Sequence, residues 1–156
     1  KHDDYMTPKY AFEDIKEYIP SKKIWEAFYG DGSSGTHLRE LGFETIHEPI
    51  DFFANDKGEI VVSNPPFTKA PEILKRLIEL DKPFILIMPS SKINTQYFRK
   101  LFANNNNKIQ IIIPKKRIQF DKKVNGEKPK DFNSSCNFDC FYYCWKIGLE
   151  TDIVWL

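Results

Sequence analysis

Four short apolar runs constrain this chain more than any other feature. They are Ile24–Phe28, Ile60–Val62, Phe84–Met88 and Ile109–Ile113, and they carry little of the polar alternation of a strand with one wet face. Runs of that length with turn signals on both sides are strands buried on both faces, which is the signature of a parallel sheet. Helical patterns separate them. Pro8 suits a first helical turn, and Phe12, Ile15 and Ile19 follow at helical spacing. A second helix follows Gly35 and runs through Leu41, with Gly42 as its C-terminal cap, after which Phe43–His47 reads as another strand. Pro71–Leu80 places Ile73, Leu74, Leu77 and Ile78 on one face, and Tyr97–Phe102 forms a short helix. No helix fits between Ile109–Ile113 and the aromatic strand Phe138–Trp145, so these two are expected to pair as a C-terminal antiparallel hairpin. The expected fold is α/β, a Rossmann-like three-layer sandwich with a mostly parallel sheet, and ligands belong at the carboxyl ends of its strands.

The 156 residues suffice for one domain, 1–156, with a single core. A hydrophobic fraction of 41% with 15% aromatics excludes a disordered class. No apolar run reaches the ~18 residues of a membrane span, and Lys1-His2-Asp3-Asp4 lacks a signal-peptide core. The expectation is an intracellular protein with no membrane association. Cys136, Cys140 and Cys144 are spaced four apart without a CxxC pair or clustered histidines, so no metal is expected. On a strand, Cys140 and Cys144 would share one face as small core residues.

The turn after the first apolar run carries Gly30, Gly32 and Gly35. It matches neither GxGxxG nor a P-loop, yet a strand, glycine turn and helix place free amides at a helix N-terminus. The flanking residues narrow it. Glu26-Ala27-Phe28-Tyr29-Gly30-Asp31-Gly32 is similar to the Asp/Glu-Pro-Phe-x-Gly-x-Gly motif of amino-methylating nucleic-acid methyltransferases, with Ala27 where proline is usual. That resemblance implies S-adenosylmethionine as cofactor and S-adenosylhomocysteine as product. It implies Glu26 near the methionine amino group, Phe28, Gly30 and Gly32 lining the site, and Thr7-Pro8 approaching the carboxylate. Glu48 stands where such folds hold the ribose hydroxyls, and Asp51-Phe52-Phe53 resembles the Asp-Phe element that holds the adenine. Either acid could take either role. A helix and a strand usual between them and the next buried strand are expected to be trimmed away, leaving a reduced sheet.

Ser63-Asn64-Pro65-Pro66-Phe67 ends the Ile60 strand. Two prolines remove two backbone donors, so this corner presents carbonyl oxygens and suits a ligand that brings N–H groups. An amino group on an aromatic base is a poor nucleophile because its lone pair is delocalised. Acceptance of its N–H bonds by the Asn64 side-chain oxygen and the Pro65 carbonyl would localise that pair by alignment and charge placement. Phe67 would stack on the ring. The Asn-Pro-Pro-Phe corner resembles that of class I adenine-N6 DNA methyltransferases, and Arg117-Ile118-Gln119-Phe120 looks like the Arg-Ile-x-Phe signature of phage-type members, with Phe120 on the other side of the base.

A base inside a duplex cannot reach such a corner, so the resemblance implies a flipped or single-stranded target. Net charge is only +1, but Lys115, Lys116, Arg117, Lys122, Lys123, Lys128 and Lys130 face only Asp121 and Glu127 over sixteen positions. This stretch is the expected phosphate-contacting segment, and Lys92 is near the mouth. DNA is favoured over RNA as partner. No separate target-recognition domain is evident, so either specificity is loose or a protein partner or fused domain supplies it. The alternatives are an RNA base amino-methyltransferase (adenine-N6 or guanine-N2) and a noncatalytic methyltransferase-like subunit; Asn-Pro-Pro-Tyr relatives modify protein glutamine. The Lys-, Ile- and Asn-rich composition points to an AT-rich genome such as that of a virus or phage, with a cytoplasmic or nucleoid location.

Overall fold

The computed structural model describes residues 5–103, 107–122 and 138–156. In chain order the elements are β1 (Tyr5–Met6), α1 (Lys9–Glu13), β2 (Ile24–Trp25), α2 (Ser33–Glu40), β3 (Thr45–Ile46), β4 (Ile60–Ser63), α3 (Ala70–Glu79), β5 (Phe84–Pro89), α4 (Gln96–Phe102), β6 (Ile109–Ile113), β7 (Asp121–Lys122), β8 (Cys140–Trp145) and β9 (Ile153–Trp155). Seven strands form one sheet in the order β3-β2-β4-β5-β8-β6-β9, while β1 and β7 form a separate antiparallel pair. All strands of the large sheet run one way except β8, which lies antiparallel between β5 and β6.

Helices cover both faces, and strand side chains sort by parity. Ile60, Val62, Ile85, Ile87 and Ile112 pack with α1 and α2 through Ala11, Phe12 and Leu38. Val61, Phe84, Leu86, Met88 and Ile111 pack with α3 and α4 through Ile73, Leu74, Leu77, Phe98 and Phe102. Pro71 sits in the first turn of α3, where its missing N–H costs nothing. Hydroxyls on the central β8 tie it to α1 and to the neighbouring strand β5. The Tyr142 hydroxyl donates to Ala11 O on one side (2.6 Å), and the Tyr143 hydroxyl donates to Pro89 O at the end of β5 (2.7 Å). Cys140 and Cys144 are buried on the α1/α2 face, as the strand pattern predicts; Cys136 lies outside the described residues.

Two features differ from the sequence expectation. The β6–β8 pairing is antiparallel as expected, but the chain joining them passes through β7, so the two strands are not a simple hairpin. An additional strand, β9, pairs parallel to the far side of β6. Between Asp51 and β4 the described chain holds only a 3-10 turn, Phe52–Ala54, and no helix or further strand. No helix among the described residues is long and apolar enough to cross a membrane.

Candidate functional site

Adjacent strands β2 and β4 end side by side, and their carboxyl ends are joined through Glu26. The Glu26 amide continues the β2 pairing by donating to Ile46 O (3.0 Å). Its side chain, 1% exposed, accepts at Oε1 from the Ser63 hydroxyl (2.5 Å) and from the Phe28 amide (3.0 Å). Burial pushes this carboxyl up to about 8, against the opposing pull of its bonds to Ser63, Phe28 and Ser34. A neutral carboxylic acid therefore sits at the base of the site near pH 7.

The glycine turn follows. Gly30 and Gly32 hold φ of +56° and +86°, conformations that L side chains rarely adopt, and a Cβ on Gly30 would press on the Met6 sulfur at 3.2 Å. Asp31 accepts both the amide and the hydroxyl of Ser33, which fixes the entry to α2. Gly35 then lets α2 lie directly on His47, whose Cβ, Cγ and Cδ2 occupy the space a side chain would need. The His47 ring stacks on Tyr29 at 4.8 Å, and its Nδ1 donates to Glu26 O (2.8 Å), a carbonyl that can only accept. Burial lowers the His47 pKa.

An aromatic wall closes a third side. Phe52 stacks on Trp25 (5.5 Å) and contacts Phe28 (5.0 Å) and Phe53 (5.1 Å). The Asp51 carboxylate accepts the Phe53 amide and so starts the 3-10 turn that presents this wall. Opposite lies Asn64. Its side-chain nitrogen donates to Tyr5 O (3.2 Å), which orients the amide and leaves Oδ1 buried with no hydrogen-bond partner among the described residues. The Thr7 hydroxyl is in the same condition.

Thr7, Glu26, Phe28, Gly30, Asp51, Phe52, Asn64 and Pro66 line one pocket of about 440 Å³. Tyr5, Met6, Tyr29, Asp31, Ser34, Ile50, Phe53, Lys69 and Ile73 line it too. Several of these were legible as neighbours of quoted motif residues, but Lys69 carries no sequence signal and Ile73 only that of a helix face. Pro8, Gly32, Glu48 and Pro65 are not among the lining residues: Pro8 and Gly32 precede α1 and α2, Pro65 is buried, and Glu48 is exposed. The chain path thus brings Asp51 to the pocket and leaves Glu48 out.

Phe67 is 7% exposed and lines a neighbouring cavity of about 270 Å³ with Thr68, Pro89, Ser91, Lys92 and Phe138. The ring of Phe138 meets it edge-on at 5.5 Å. Two expectations for the basic segment are corrected. Phe120 is 3% exposed and packs against Phe138 and Tyr5, so it is a core residue and offers no open face to a base; Ile118 and Phe120 alternate inward along an extended chain. Arg117 directs its guanidinium fork to Asp139 (3.0 and 3.2 Å), which holds that carboxyl below its usual range, and its charge is committed within the chain. Lys115 and Lys116 are exposed, and the Lys122 backbone pairs with Tyr5 in β7. Lys123, Lys128 and Lys130 lie outside the described residues.

No family model, curated protein or solved structure matches this chain.

Proposed function

We propose that this chain is an S-adenosylmethionine-dependent methyltransferase acting on the exocyclic amino group of a nucleic-acid base, adenine N6 in DNA first among them. The observation that carries the reading is the buried, partnerless Oδ1 of Asn64 at the rim of a pocket built from the end of the neighbouring strand. A desolvated acceptor left unpaired costs about 1–3 kcal/mol, and a ligand that brings N–H groups removes that cost.

The residues present fit the cofactor. The volume of about 440 Å³ lies within the roughly 300–1,000 Å³ usual for small-molecule sites. The Glu26 carboxyl suits an ammonium group, which would draw off its proton, and the Thr7 hydroxyl is a second partnerless polar atom on a residue that lines the pocket. Phe28, Phe52 and Phe53 offer flat apolar surface to a purine, with the Asp51 carboxylate beside them for hydroxyls. Bound there, S-adenosylmethionine supplies a methyl group made electrophilic by its sulfonium. Asn64 orients the target nitrogen through its partnerless Oδ1, and no covalent enzyme intermediate is needed. The class I methyltransferase version of the fold belongs to the same proposal and is supported by the mostly parallel sheet with its single reversed strand and by a pocket at the strand ends. Recognition of the target sequence is assigned to a protein partner or fused domain.

Burial of Phe120 and pairing of Arg117 leave the Asn-Pro-Pro-Phe corner as the feature that favours adenine in DNA, and guanine N2 or adenine N6 of RNA is the second reading. One experiment addresses both. The chain is incubated with methyl-labelled cofactor and separate DNA, RNA and protein pools, and the products are digested to nucleosides. Label is expected in a base amino group, and Asn64→Ala is expected to lower transfer by about 100-fold or more with cofactor binding retained. Undiminished transfer by Asn64→Ala, or label in protein alone, refutes the proposal.

A further inference from the structure

The aromatic wall of the pocket is carried by a segment that belongs to no helix or strand of the sheet. Residues 51–58 have a single 3-10 turn as their only regular structure. A wall of this kind needs an external anchor, because a short loop holds a ring in place only as well as its backbone is held. Two cations from the α3 region supply anchors, and they act on different stretches. Lys82, just past α3, is 8% exposed and donates through Nζ to Lys57 O (3.1 Å) and Gly58 O (2.7 Å) while pairing with Asp56 (2.6 Å). Arg76, within α3, donates through Nε to Phe52 O (3.1 Å) and through a terminal nitrogen to Asn55 O (2.8 Å). Its guanidinium also lies 5.7 Å from the centre of the Phe52 ring, within cation–π range.

We propose that Arg76 is the positioning residue that sets the Asp51–Phe53 wall, and with it the affinity for the adenosyl part of the cofactor. This rests on the cofactor reading above. Arg76 is not among the pocket's lining residues; it acts from behind, through two backbone carbonyls and one ring. The two bonds bracket the 3-10 turn, so together they fix both the position of the turn and the tilt of Phe52. The planar fork matters, because two carbonyls three residues apart are held at once by one rigid group, which an ammonium on a flexible stem does not reproduce. Lys82 is the internal comparison: it holds the same loop further along, at residues 56–58, where no residue lines the pocket.

The test uses the full chain and three variants, Arg76→Met, Arg76→Lys and Lys82→Met. S-adenosylhomocysteine is the calorimetric probe, and amide hydrogen exchange is followed by mass spectrometry without ligand. Arg76→Met is expected to weaken the probe about tenfold and to speed exchange in peptides covering 51–55, with β4 unchanged. In the transfer assay its KM for the cofactor rises while kcat stays within about twofold. Arg76→Lys falls between it and the parent chain. Lys82→Met is expected to lower the melting temperature while leaving the probe within about twofold. The proposal is overturned if folded Arg76→Met binds the probe as the parent does, if Lys82→Met weakens binding as much, or if exchange at 51–55 is unchanged. A parent chain that binds no S-adenosylhomocysteine overturns the cofactor reading, and the exchange arm still decides whether Arg76 holds the wall.

Discussion

Replacement of Glu26 by glutamine changes how stability depends on pH, and the sign follows from its burial. In the unfolded chain this carboxyl titrates at its ordinary value of 4.5, whereas the folded chain raises it to about 8. Between those values the folded state keeps a proton that the unfolded state releases. Stability from this group is therefore fully present below about 4.5 and is lost as pH rises through about 8. Each pH unit inside the window costs at most ~1.4 kcal/mol, so the whole window amounts to a few kcal/mol, against a total of ~5–15 kcal/mol for a domain. Glutamine is neutral throughout, and its carbonyl can still accept from the Ser63 hydroxyl and the Phe28 amide. Urea unfolding of both chains at pH 5, 6, 7 and 8 isolates the term, because other groups contribute to both. His47 is one of these, with the opposite sign: its lowered pKa gives stability present above 6.5 and lost as pH falls toward the folded value. The glutamine variant is expected to match the parent near pH 5 and to exceed it by a few kcal/mol at pH 8. Parallel curves for the two chains would refute the reasoning. Under the proposed function the same variant loses its partner for an ammonium group, so it should gain stability and lose cofactor affinity together.

Gly35→Ala forces a Cβ into the His47 side chain and is expected to cost about 1–3 kcal/mol, or roughly 2–12 °C in melting temperature; a melting temperature unchanged within error counts against this contact. Tyr142→Phe removes the bond to Ala11 O between β8 and α1 and should lower stability by about 1–2 kcal/mol, read as a shift in urea midpoint at constant slope; an unshifted midpoint contradicts it.

The buried strands were legible because a strand covered on both faces has no polar positions to break its apolar run, as in Phe84–Met88. The β2 and β4 ends were legible because residues such as Gly30 and Pro65 do something to the backbone that few others can. Other parts left no trace in residue type. Arg76 and Lys82 act on backbone carbonyls more than twenty positions away, and a carbonyl is the same in every residue. Asp51 and Glu48 are both acids, and only the path of the chain separates them. Phe120 and Arg117 looked functional because aromatic and basic residues serve cores and ion pairs as readily as bases and phosphates. The β9 strand is three residues long with Trp155 75% exposed, too short and too open to show a period.

The position of β8 also bears on how the chain folds. Strands β2 to β5 can assemble from residues 24–89, but the next strand in space, β8, comes only at Cys140–Trp145, and β6 reaches the sheet through it. Until that segment arrives, β5 presents a bare edge of apolar backbone of the kind that recruits other chains. Closing the sheet thus depends on contacts between residues that lie 51 to 61 positions apart in sequence, the class of contact that makes folding slow. During synthesis the N-terminal half must wait with that edge exposed. The step most open to aggregation is therefore the docking of one aromatic strand onto the open β5 edge.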